Sequence, residues 1–103
     1  MELTGKCKED FEKWLLYSGV YGEYEYHLDE DLVSHFENLK TSMKYGVYVD
    51  FFDSVDIKIS MNQYNKDFWV DIQKTFFESD ILLTRAEARI VAIEKANEIY
   101  NKI

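Results

Sequence analysis

Few residues in this 103-residue chain could carry chemistry. His27, His35 and Cys7 are the only imidazole and thiol groups. With neighbouring carboxylates they could form a zinc set, but no CxxC or HxxxH pair supplies the spacing in which such sites are usually written. Asp50, Asp53 and Asp56 recur every three residues, which gathers carboxylates on one side of a helix, where paired acids act as acid and base or hold a divalent cation. No histidine or glycine-rich turn accompanies them, and a solvated helix face accounts for them more simply. Cys7 stands between Lys6 and Lys8 in a first helical turn, where positive charge would lower a thiol pKa. It also begins an apolar stripe, which favours burial as a small core residue. None of the six serines lies in a G-x-S-x-G elbow, and Gly5, Gly19, Gly22 and Gly46 are too scattered to cradle a phosphate. The reading is therefore non-enzymatic, with no catalytic residue, metal or cofactor.

What the chain does concentrate is negative charge beside phenol rings. Residues 23–31 read EYEYHLDED, and of the net charge of −8, six units fall on residues 23–37. Tyr17, Tyr21, Tyr24 and Tyr26 lie within ten residues of one another. Tyrosine offers large rigid area with a polar tip, and clustered carboxylates speed encounter with a basic partner. The candidate partner-binding set is thus Tyr17, Tyr21, Glu23, Tyr24, Glu25, Tyr26, Asp29, Glu30 and Asp31. The competing reading is a solvated connection in which two or three of the rings cover the core. Two further readings stay open. One is an inhibitor of a host nucleic-acid-handling or defence protein, its carboxylates standing in for phosphates. The other is a homo-oligomer whose exposed aromatics pack on a copy of the chain. Direct nucleic-acid binding is not expected, since the net charge opposes phosphate backbones and Arg85, Arg89, Lys95 and Lys102 do not share one helix face.

The elements that must position these residues give an α+β class. KCKEDFEKWLLY places Cys7, Phe11, Trp14 and Leu15 on one stripe, predicting a helix over 5–17 with Thr4 as N-cap. From Glu23 the pattern alternates as in an edge strand or extended loop. Asp29 then caps a helix over 30–39 bearing Leu32, Val33, Phe36 and Leu39. Residues 42–55 are rich in strand formers, yet Met43, Val47, Phe51 and Val55 recur at helical spacing with Tyr48 and Phe52 beside them, and period outweighs propensity. A hairpin over 57–61 and 68–73 follows, connected by NQYNKD, with a possible third strand at 76–80. Thr84 and Glu87 form a capping box, with Leu83 and Ala88 at staple positions. They open a helix over 85–101 whose inward face reads Ala86, Ile90, Ile93, Asn97 and Tyr100.

Length and the absence of a linker signature favour one domain spanning 1–103. No apolar run approaches the roughly 18 residues that cross a bilayer. A lone cysteine and the lack of a signal-like start favour the cytoplasm. The segments LTGKCKEDFEKWL, KYGVYVDFFDSVDI and TRAEARIVAIEKANEIYNKI resemble a group of small proteins encoded in phage and prophage genomes. Residues 42–101 are distantly similar to the phage ABA sandwich domain. That resemblance implies helices packed on a small antiparallel sheet and a phage-type accessory role, and it brings no catalytic residue or ligand. The pattern usually has glycine after FFDSV, where this chain has Asp56.

Overall fold

In the computed structural model, residues 2–17, 29–73, 75, 77–82 and 84–103 are described, with the side chains of residues 17 and 29–32 set aside. The helices are α1 (Gly5–Tyr17), α2 (Asp29–Glu37), α3 (Thr41–Ser54) and α4 (Arg85–Asn101). A two-stranded antiparallel sheet of β1 (Ile59–Tyr64) and β2 (Asp67–Ile72) lies between α3 and α4 in sequence. The class is α+β. Among the described residues no helix is long and apolar enough to cross a membrane.

Phe11 is the hub of the core. Its ring lies 5.0 Å from Phe36, 5.0 Å from Tyr48 and 5.4 Å from Phe51, so α1, α2 and α3 meet on one aromatic cluster. Such tilted and edge-on pairs add to the burial of large apolar area. Cys7 and Leu15 flank Phe11 in the buried stripe of α1, and Trp14 is half-buried beside it. α2 begins one residue earlier and ends two residues earlier than the sequence suggests, so Asp29 is its first helical residue rather than the residue before it.

α3 turns inward the face read in the sequence, centred on Phe51 with Tyr48 and Phe52, except that Met43 at its start lies outside it. Tyr48, Phe51 and Phe52 are buried, Val47 and Val55 half-buried, and Met43 is 54% exposed. The rings of Phe11 and Phe36 present an aromatic surface, and the larger ring area on α3 wins that contact over methionine and valine. At its end, Ile57 N–H donates to the Phe52 carbonyl at 2.8 Å and Asp56 N–H to Asp53 at 3.1 Å. This is a Schellman closure with Asp56 at φ +64°, so the left-handed helix end forms without a glycine.

The hairpin is displaced from the predicted strands. β1 begins two residues later, and most of NQYNKD belongs to the ladder. Tyr64 pairs with Asp67 around a turn of only Asn65 and Lys66, with Asn65 at φ +56°. Asparagine tolerates that conformation, which permits the short loop. The third strand over 76–80 does not form as a strand. Residues 77–82 instead follow the free edge of β2 through isolated bridges, Phe68 with Leu82 and Asp71 with Glu78.

α4 is capped as expected at its start, with Glu87 N–H donating to Thr84 Oγ1 at 3.1 Å. The staple at Leu83 lies outside the described residues. Its buried face is Ala88, Ala92, Ile93 and Ala96, whereas Ala86 is exposed and Ile90 is 40% exposed. Small alanines let the helix lie close on Val70 of β2. Asn97 and Tyr100, on the adjoining face, grip α1. Thr4 N–H donates to Asn97 Oδ1 at 2.9 Å, and Asn97 Nδ2 donates to Thr4 Oγ1 at 3.0 Å. Cys7 N–H donates to Asn101 Oδ1 at 2.9 Å, while Asn101 Nδ2 donates to the Thr4 carbonyl at 3.0 Å. Asn101 therefore caps α1, replacing the predicted cap from Thr4 with one from a helix more than 90 residues away. Gly5 makes room for it, at φ +59°, since a Cβ there would stand 3.2 Å from Asn101 Oδ1.

Candidate functional site

The acidic, tyrosine-rich set borders the core without belonging to the described part of it. Tyr17 is the last residue of α1, and Asp29, Glu30 and Asp31 form the first turn of α2, with their side chains set aside. Tyr21, Glu23, Tyr24, Glu25 and Tyr26 lie outside the described residues, as does His27. The helices on either side of this segment are locked together by Phe11 and Phe36. On the body that carries it, several carboxylates are paired with lysines. Lys6 lies 2.9 Å from Asp10, Lys44 3.3 Å from Glu37 and Lys58 3.9 Å from Asp53. Lys95 and Lys102 both engage Glu98, at 3.3 and 2.8 Å.

Among the described residues the groups considered for chemistry are not assembled. Cys7 is fully buried, and its thiol is pushed up to about 12, first by burial and then by the Asp10 charge. That is opposite to the activated thiol its lysine neighbours suggest. Asp50 and Asp53 are exposed on α3, with Asp56 in the turn beyond. Among the described residues no group of three or more histidine, cysteine or acidic side chains could hold a metal ion. Asp10 instead accepts a 2.5 Å hydrogen bond from the Tyr100 hydroxyl. That bond, together with Lys6, holds the Asp10 carboxyl below the usual range, while Tyr100 is pushed up to about 12 by the same contact and by burial.

A second surface was not singled out in the sequence. Arg85 and Arg89, one turn apart on α4, overhang an open groove of about 300 Å³ floored by Tyr45, Met61 and Phe68 and edged by Gln63. The Arg85 guanidinium lies 5.5 Å from the Phe68 ring centre and also donates to Gln63 Oε1 at 3.4 Å. Arg89 lies 5.8 Å from the Tyr45 ring centre. Stacking on a ring face leaves the edge donors of a guanidinium free to meet an anion. Among the described residues neither arginine has a carboxylate within 4.0 Å, in contrast to five lysines of the same chain. The i, i+4 spacing of the arginines was the available signal, but the groove exists only once the hairpin brings Met61 and Phe68 beneath them. No family model, no curated protein and no solved structure matches this chain.

Proposed function

We propose that the protein is a non-enzymatic, phage-type accessory protein that works in the cytoplasm by binding a basic partner protein through residues 17–31. The observation that carries this reading is the localisation of charge. Six of eight net negative charges fall on residues 23–37, while the rest of the chain is close to neutral and pairs Lys6, Lys58, Lys95 and Lys102 with carboxylates of its own. The Phe11–Phe36 contact at 5.0 Å supports it further, because both ends of the segment then leave from one rigid base. Presentation from a fixed base lowers the ordering cost of binding, and clustered carboxylates raise the rate of encounter with a cationic surface.

The test is side-by-side capture from lysate of the native host by the parent chain and by a chain with Glu23, Glu25, Asp29, Glu30 and Asp31 changed to their amides. The amide chain should fold with the same far-ultraviolet dichroism and retain markedly less of any basic protein held by the parent. Equal retention overturns the proposal.

A further inference from the structure

The outer rim of the hairpin carries backbone groups that the fold leaves unused. Gln73 N–H donates to the Lys58 carbonyl at 2.8 Å, which sets the alternation of the ladder. Ser60, Asn62 and Tyr64 therefore exchange hydrogen bonds with β2, and the N–H and C=O groups of Ile59, Met61 and Gln63 point away from it. On β2 the equivalent outward groups are taken. Phe68 bonds reciprocally with Leu82, the Val70 carbonyl accepts from Ser79 N–H, and Ile72 N–H donates to Phe77. Among the described residues the outward groups of Ile59, Met61 and Gln63 have no such backbone partner. Proteins usually blunt an open edge with lysine, proline or a bulge. The β1 sequence ISMNQY contains neither residue and pairs with β2 without a bulge.

This bare edge adjoins the arginine groove, since Met61 and Gln63 belong to both. An extended segment added beside β1 directs alternate side chains towards α4, and those side chains recur about 6.6–7 Å apart. Arg85 and Arg89 are separated by about 6 Å along their helix. The matching ligand is an extended segment with carboxylates at every second residue, and the sequence of this chain carries that pattern, with Glu23 and Glu25 alternating with Tyr24 and Tyr26.

We propose that the β1 edge and the Arg85/Arg89 groove accept residues 23–27 of a second copy of this chain as an added strand. Glu23 and Glu25 pair with the two guanidinium groups, and the outward groups of Ile59, Met61 and Gln63 supply the main-chain hydrogen bonds. Tyr24 and Tyr26 fall on the opposite face of the sheet, beside half-buried Trp69 and Tyr64, the latter 70% exposed. The proposal rests on reading residues 23–31 as a binding segment, and it makes self-association and capture of a basic partner compete for that segment.

Light scattering on the full chain across a concentration series tests it. The mass should rise above the 12.3 kDa of one chain as concentration increases and fall back as salt is added. R85E/R89E and E23R/E25R should each weaken association by at least about tenfold, and an equimolar mixture of the two should restore it, since each then offers the charge the other lacks. Met61→Pro, which removes an outward-facing donor and the Met61 side chain in the groove floor but no ladder hydrogen bond, should weaken association, with far-ultraviolet dichroism checking that the fold is kept. A parent chain that stays at 12.3 kDa throughout overturns the proposal, as does association indifferent to both charge reversals or a mixture that fails to associate. The reading of partner binding is tested separately, because R85E/R89E should leave capture of a basic partner undiminished.

Discussion

Replacing Asn101 with alanine removes the group that starts α1. Two hydrogen bonds are lost, the Cys7 N–H to Oδ1 bond at 2.9 Å and the Nδ2 to Thr4 carbonyl bond at 3.0 Å. Loss of a capping acceptor costs about 1 kcal/mol, and the second, exposed bond about 0.5 kcal/mol. The expected destabilisation is about 1.5 kcal/mol, or roughly 6–12 °C in melting temperature for a domain of this size. Asn97→Ala also removes two bonds, to the Thr4 N–H and Oγ1, both exposed, and should cost about 1 kcal/mol. Because both asparagines grip Thr4, the double variant should cost less than the two single losses together. Thr4→Ala forfeits only the hydroxyl that Asn97 binds and should be the mildest of the set. Thermal melting followed by far-ultraviolet dichroism measures all four. If Thr4→Ala lowers the midpoint more than Asn101→Ala does, α1 is capped from within and the reasoning is refuted.

Other perturbations follow from the same contacts. Phe11→Ala empties the centre of the aromatic cluster at a cost of about 3–5 kcal/mol, enough to show as partial unfolding at room temperature in urea titrations. Asn65→Gly should leave the urea midpoint unchanged or slightly raised, whereas Asn65→Val, forced to φ +56°, should lose about 1–2 kcal/mol. Asp10 has its folded pKa lowered, so its contribution is full above the unfolded carboxylate value near pH 4 and disappears as pH falls through the folded one. The urea midpoints of the parent and Tyr100→Phe should accordingly differ at pH 6 and converge in strong acid. Buried Cys7, with its thiol pushed up to about 12, should react with iodoacetamide only at the rate at which the native chain opens.

The sequence made some parts of this molecule legible because their information is local. The bounds of α1 and α4 follow from a stripe and a capping box that lie within a few residues of each other. The inward face of α4 and the exposure of Met43 on α3 do not, because what Ala92 or Met43 packs against is decided by partners far along the chain. Alanine at 88, 92 and 96 gives a weak hydrophobic signal, yet its smallness is what lets α4 approach Val70. Polar Asn97 and Asn101 look out of place near a buried face until Thr4 and Cys7 stand opposite them. The hairpin was misplaced because a polar run, NQYNKD, resembles a loop, while alternate sides of a two-stranded ladder tolerate polar residues and Asn65 allows a tight return. Of the candidate surfaces, the acidic segment shows in composition alone. The arginine groove required β1, β2 and α4 to be assembled before two cations became neighbours of an open strand.

The first helix of this chain is completed by the last. Asn101 reaches back 94 positions to Cys7, so during synthesis α1 has to wait, its opening turn unfinished, until Asn101 has left the ribosome. Contacts this remote in sequence close late and slowly. A chain clipped within the end of α4 would thus open more often around the start of α1, and proteases would meet that end of the helix first.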